Sequence, residues 1–569
     1  MRRIVQCAGL LAIGAVLSWS RPADACGCFA PPNAAEPIVQ AGERILFAVR
    51  NGVVTAHIQV QYAGDAKDFG WLLPLPSVPT LTVGTDELFT QLAATTQPSY
   101  VVEQTFNSSG CSQPSGGFAL GCASPSAPLN DRTQAGGSFD AGASSPLVIK
   151  ASVGPYDYAV LRADDRTAMF QWLTDNRFFV PAGTDAASGP YIRPGAYFLA
   201  LKLKAGAATG DITPVVLQYP SALPMIPLIL TSVGAQPNMG VQVFLLGSAR
   251  GIPRNYHHVV LNDALLGWLD GMKNYSEVVS KAVAEAPQKH AVVTEYAGPS
   301  SVMRNLLAPP QRFGTEQSLA LATSPDDFVS RLVAAGFADR SSGEPALPSA
   351  IIRLLLTDIP FPPALASKGI SENEFLTRLD YYLGAYRTQN PDDFTGYTLS
   401  FDARTLAQEI FAQYVTPVRD ANALFDEFPT LTRLFTTLSP EDMTEDPVFS
   451  FNAELPMVKR EHTAKLSMGC GNSTLVTEQG WVLDDVVTGS PAPRPEATPV
   501  ALRVETLGEE GQATVVTDNT EGVHARFTRE SDVPPATPAM KQPGCSTVDP
   551  LSLGLFALMA GLFRRRLSR

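Results

Sequence analysis

The chain has 569 residues, 45% of them hydrophobic and 17% charged, with a formal net charge of −13. That length accommodates two or three domains with substantial cores, and the acidic balance excludes a nucleic-acid binder, which needs a basic face to neutralise phosphates. The 47 prolines and 44 glycines are spread along the chain, a sign of many turns and extended segments rather than one disordered block.

At the N-terminus Arg2 and Arg3 form a positive n-region, Gly9 to Leu17 is apolar, and Ala23-Asp24-Ala25 is an A-x-A cleavage site. This pattern predicts a signal peptide over residues 1–25 and a mature chain starting at Cys26. A lipobox wants a large aliphatic residue three positions before its cysteine, and Ala23 does not supply it, so simple export is expected ahead of N-terminal lipidation.

Export permits disulfides. Of the seven cysteines, Cys7 leaves with the signal and Cys545 belongs to the C-terminal tail. Cys111 and Cys122 share one small-residue loop and are the expected pair. Cys470 would bridge to Cys26 or Cys28, leaving one cysteine over. Cys26-Gly27-Cys28 lacks the two-residue spacing usual for zinc pairs, so neither a metal nor another cofactor is expected.

Glu43 to Arg50 and Val53 to Tyr62 read as strands around Asn51-Gly52, a strong hairpin signal. Phe69 to Pro74 is a third strand, and Thr85 to Leu92 a short helix with Asp86 and Glu87 in its first turn. Residues 106–146, rich in Ser, Gly and Ala, read as an exposed insertion. Gly154 to Leu161 is a strand, Arg166 to Asn176 an amphipathic helix, and Tyr197 to Lys204, Pro214 to Tyr219, Ile226 to Val233, Val241 to Leu246 and Ala291 to Tyr296 are further strands. Near Pro299 the texture becomes helical. Ser324 opens one helix, Ser371 to Glu374 is a capping box, and a run through Leu406, Ile410 and Tyr414 stops at Pro417. The expected fold is α+β: a β-rich mixed sheet or sandwich over 26–298, then a mainly helical region over 299–486 completing the body. Residues 487–544, rich in Pro, Thr and Glu, read as a spacer, and 545–569 as a tail.

In that tail Leu551 to Phe563 carries no charge and Arg564, Arg565 and Arg566 follow at once. As a helix this stretch reaches roughly 20 Å, short of the ~30 Å hydrocarbon core. It suits a segment that is inserted with its arginines cytoplasmic and then cut.

No GxSxG, HExxH, P-loop or Rossmann fingerprint appears. The acid pairs Asp326/Asp327, Asp392/Asp393 and Glu441/Asp442 each follow a cap-type residue and a proline, so they read as first-turn acids. His257 and His258 diverge on any regular backbone and read as surface or strand-end residues; Trp71, Trp172, Tyr156 and Tyr158 read as core. Glu295, a carboxylate among apolar strand residues, is either turned to solvent or paired inside, and Arg433, charged among Leu431, Leu434 and Phe435, is the named partner.

Two resemblances add to this. Gly544-Cys545-Ser546, the apolar stretch and the arginines resemble the MYXO-CTERM sorting signals of bacterial cell-surface proteins. CGCFAPP, GWLLPLP, GPYDYAVLRA, FQWLTDNRFFVP, VTEYAG and LTRLFTTLSPEDMTEDPVFSFN, scattered from Cys26 to Asn452, resemble an uncharacterised family of bacterial exported proteins, domain of unknown function 2330. The tail resemblance implies as partners the export machinery and a sorting protease that uses Cys545, with membrane contact through the tail. The family resemblance implies no chemistry, so no catalytic residue follows from it. The expectation is an exported, cell-envelope-attached binding or structural protein; the rival is a secreted hydrolase whose site is assembled from distant loops.

Overall fold

Asn51 and Gly52 both adopt positive φ, 53° and 72°, and close a two-residue turn between the antiparallel strands Glu43–Arg50 and Val53–Val60. Asparagine and glycine enter that region at least cost, and the turn's twist matches that of the flanking strands. The computed structural model describes residues 28–29, 42–60, 69–106, 145–176, 183–204, 210, 212–340, 343–469, 472–486 and 498–533.

The hairpin belongs to a ten-stranded mixed sheet. Its order is Thr514–Asp518, Ala501–Thr506, His257–Leu261, Ala291–Pro299, Thr430–Leu438, Met239–Gly247, Glu43–Arg50, Val53–Val60, Val215–Pro220 and Thr80–Val83. Side chains alternate across it: Ile45, Phe47, Val243 and Leu245 face one core, and Leu46, Ala48, Phe244 and Leu246 the other.

The first core is shared with two five-stranded sheets. One, with Tyr197–Leu203 at its centre, contributes Trp71, Leu73, Tyr156 and Leu199. Its opposite face carries Leu161 and Phe198 against Met169 and Leu173 of helix Arg166–Asp175. The other, in which Ser99–Phe106 runs parallel to Glu461–Met468, contributes Ala464, Leu466 and Leu475. The second core is filled by Leu88, Phe89 and Leu92 of helix Asp86–Thr96 and by the helices between Ser300 and Glu427. The architecture is α+β, with multi-stranded mixed sheets first and helices later in the chain.

Several segments depart from the sequence expectation. Leu228–Thr231 within the apolar run at 226–233 is a helical turn, not a strand: Pro227 stands before it, and the Asp446 carboxylate accepts from the Ile229 N–H at 2.9 Å. The helix from Ala403 does not stop at Pro417. A π-helical stretch, Phe411–Val415, intervenes and Thr416–Glu427 continues, because the wider turn accommodates a ring that cannot donate to the ladder. Thr430–Leu438, in the region expected to be mainly helical, is a central strand. Its β-branched threonines favour that state. Ala501–Thr506 and Thr514–Asp518 lie inside the stretch read as a spacer, yet they pair onto the same sheet. The expected signal peptide, most of the 106–146 insertion and the tail fall outside the described residues. Among the described residues no helix is long and apolar enough to cross a membrane.

Candidate functional site

Helix Asp86–Thr96 begins at Thr85, whose hydroxyl accepts from the Glu87 N–H at 3.3 Å. Its first-turn acids sit where unpaired N–H groups favour negative charge. Gln59 donates to Asp86 at 2.7 Å, and Arg312 Nη2 to Glu87 at 3.1 Å. The last turn has no basic residue of its own. Two arginines from distant segments supply the charge that the helix C-terminus favours. Arg433 reaches it from inside, 3.4 Å from Thr96 Oγ1. Arg460 reaches it from outside, with Nη1 3.2 Å from the carbonyl oxygens of both Ala94 and Thr95.

Around Arg460 lies a groove of about 600 Å³, open to solvent and lined by Ala94, Thr95, Tyr296, Val302, Lys459, Arg460 and Glu461. Its walls are the Tyr296 ring, the small side chains of Ala94, Thr95 and Val302, two cations and the Glu461 carboxylate. Lys459 Nζ is 2.6 Å from Glu478, and burial raises the Tyr296 phenol above its usual range.

Beneath the groove the structure brings Glu295 and Arg433 together. The strand Ala291–Pro299 is irregular between Thr294 and Tyr296, which oppose Leu434 and Arg433 in turn, so Glu295 is the extra residue of a bulge. Arg433 Nε is 2.5 Å from Glu295 Oε2, and Tyr275 donates its hydroxyl to Oε1 at 2.7 Å. With its oxygen towards the guanidinium, the Gln242 amide accepts from Arg433 Nε and Nη2 at 2.9 and 2.6 Å. Burial and the Glu295 charge hold the Tyr275 hydroxyl protonated. Beyond it, Tyr100 stacks on His462 at 4.8 Å, and His462 Nδ1 is 2.7 Å from Glu478. A polar chain therefore runs from the buried ion pair to the groove's rim, with each acid already engaged. That arrangement ties the central sheet to the groove's rim.

Other charged residues follow the same pattern. His257 and His258 open the strand His257–Leu261, the strand-end position that the sequence suggests, but His258 is buried and not at the surface. Its Nδ1 is 3.2 Å from Glu505 and its Nε2 accepts from the Thr294 N–H at 3.4 Å. Desolvation holds its pKa below the ordinary value. Asp326 and Asp327 occupy the first turn of Pro325–Ala334 under the Ser324 cap. Asp392/Asp393 and Glu441/Asp442 open only single 3₁₀ turns without a side-chain cap; Asp393 and Asp442 instead pair with Lys368 and Lys289 at 2.5 and 2.9 Å. Asp263 is buried, and desolvation pushes its pKa up to about 6. Its Oδ2 accepts from the Gln479 N–H at 2.9 Å.

Ala23, Ala25, Cys26, Cys111, Cys122, Cys470 and Cys545 lie outside the described residues. Cys28 sits in a two-residue strand opposite Leu72. Among the described residues no group of three or more His, Cys, Asp or Glu could hold a metal ion. Sequence reasoning missed the groove and the Gln242 and Tyr275 contacts. The adjacent cations of Pro456-Met457-Val458-Lys459-Arg460 were the available signal for the groove.

A family model described as an uncharacterised protein conserved in bacteria matches residues 22–343, more than half of the chain. No curated protein and no solved structure matches it.

Proposed function

The chain belongs to that bacterial family, domain of unknown function 2330, and from this premise we propose an exported, envelope-attached protein that binds a surface component or serves a structural role. The observation that carries the reading is the groove at Arg460. It is open rather than enclosed, its cations already bond helix carbonyls and Glu478, and the acid behind it is saturated by Arg433 and Tyr275. A hydrolase would need a polar cleft in which a nucleophile and a base converge. An open apolar wall with fixed charges suits recognition instead.

Export rests on the sequence: the n-region, apolar stretch and Ala23-Asp24-Ala25 at one end, and the Cys545, apolar and arginine pattern at the other. Attachment through the tail would keep the folded body outside the membrane. Protease treatment of intact cells, followed by fractionation, tests the reading: the body should be cleaved from outside and recovered with the envelope. Protection in the cytosolic fraction would contradict it.

A further inference from the structure

One wall of the groove is tied to a buried histidine. Lys459 and Arg460 follow Val458, which exchanges backbone hydrogen bonds with Ala297, each 2.9 Å long. Arg250 is buried and fastens the start of that segment: Nη1 donates to the Pro456 carbonyl at 2.8 Å and Nη2 to the Thr294 hydroxyl at 3.1 Å. The Thr294 N–H in turn donates to His258 Nε2 at 3.4 Å. A continuous run of hydrogen bonds thus links the imidazole, the bulge at Glu295 and the segment that carries Lys459 and Arg460.

The direction of these bonds fixes the protonation state of the ring. A backbone N–H can only donate, so Nε2 must keep its lone pair, and the ring proton sits on Nδ1, 3.2 Å from Glu505 Oε2. The charged groups that face the ring are Glu505 and Arg503 from Ala501–Thr506 and Arg250 from the strand Arg250–Pro253. Ala291–Pro299 presents Thr294, its own acid Glu295 being turned to Arg433, and His257 beside it faces the Thr506 hydroxyl at 3.3 Å. Protonation would set three cations against one carboxylate and point a donor on Nε2 at the donor of Thr294. We propose that His258 is an acid-sensitive latch on the groove: neutral, it holds Thr294 and, through Arg250, the Pro456–Arg460 segment in place; protonated, it releases them and the groove loosens.

Burial, helped by Arg250 and Arg503, holds the His258 pKa below its ordinary value against the opposing pull of Glu505. A histidine depressed in this way supports the closed form above its unfolded pKa of 6.5 and loses that support as pH falls. Between the ordinary and the lowered value, each unit of pH multiplies opening by about ten. The regulatory role rests on the binding role proposed for the groove, while the latch itself is read out without a ligand.

Hydrogen exchange of the full-length protein in mild detergent, in a series from about pH 7 to about pH 4.5 and corrected for intrinsic rates, tests this. In the wild type, protection at Thr294, Ala297 and Val458 should fall by about ten-fold or more across the series, while the central strand Met239–Gly247 loses far less. His258→Gln offers an amide oxygen to Thr294 and an N–H to Glu505 without titrating, so protection at those three positions should not depend on pH. Glu505→Gln withdraws the carboxylate that favours the charged ring and should move the loosening to lower pH. Unchanged protection in the wild type, an equal fall in Met239–Gly247, a His258→Gln chain that loosens as the wild type does, or a Glu505→Gln chain that loosens at the same pH would overturn the latch. Because no ligand enters the measurement, such a failure leaves the binding role of the groove to the fractionation test.

Discussion

Glu295 and Arg433 lie 2.5 Å apart on neighbouring strands of the central sheet, 3% and 6% exposed. The bulge at Glu295 swings its carboxylate onto the face that carries Arg433, and the same guanidinium reaches the last turn of helix Asp86–Thr96. One side chain thus ties sheet to helix. Removing one member strands the other charge in the core, which costs about 3–5 kcal/mol, whereas replacing both with apolar residues costs far less. Arg433→Met should therefore destabilise strongly in urea titration, and Glu295→Leu with Arg433→Met should recover most of the loss. Equal damage from the single and double variants would refute this.

Asp263 and His57 give opposing pH dependences. The Asp263 pKa is raised from 3.8 to about 6 by desolvation, so the folded chain holds that proton more tightly than the unfolded chain. Its contribution is greatest at low pH and is lost as pH rises towards 6. Burial lowers the His57 pKa from 6.5 to about 4, so the unfolded chain takes that proton first. Its contribution is present above 6.5 and is lost as pH falls towards 4. Each effect is on the order of 3 kcal/mol at most, and together they should flatten stability between these limits. Asp263→Asn keeps an acceptor for Gln479 and removes one slope. It should stabilise at pH 7 and leave a chain that weakens towards pH 4. A variant less stable than wild type at pH 7 would contradict this assignment.

Arg460 acts on the end of helix Asp86–Thr96 from the solvent side. Arg460→Ala should cost about 0.5–1 kcal/mol. It should also speed hydrogen exchange at Gln97, whose N–H bonds the Ala93 carbonyl at 2.9 Å, more than exchange in the central strands. Uniformly faster exchange would indicate a global effect instead.

Much of this architecture was legible locally. Asn51-Gly52 marked its hairpin because both residues accept positive φ. Ser324-Pro325 marked a helix start because serine caps and proline suits the first turn. The Glu295–Arg433 contact was proposed from burial chemistry alone: a charge within an apolar strand needs a partner. What escaped is non-local. Pro417 reads as a helix stop unless the π-helical stretch before it is known. Thr430–Leu438 follows a long helical region, and only its partners on either side make it a central strand. The groove draws Ala94, Val302 and Arg460 from three separate segments, and no spacing in the sequence records such a convergence.

The cysteines offer a separate test. If Cys111 and Cys122 are joined, the bridge closes a loop of about ten residues and stabilises by roughly 2–3 kcal/mol at most, because a short loop has little unfolded-state entropy to lose. Non-reducing peptide mapping of the exported protein should recover them as one linked species. Two free thiols would exclude the pair.

Export and envelope attachment are the central claim, and the termini of the protein isolated from the cell envelope test them most directly. Intact-mass analysis should find a chain that begins at Cys26 and ends near Cys545, without Leu551–Phe563 and the arginines beyond. Cys545→Ala should fold normally yet retain its tail in the inner membrane. A chain that still begins at Met1 and ends at Arg569, recovered from the cytosol, would contradict the account.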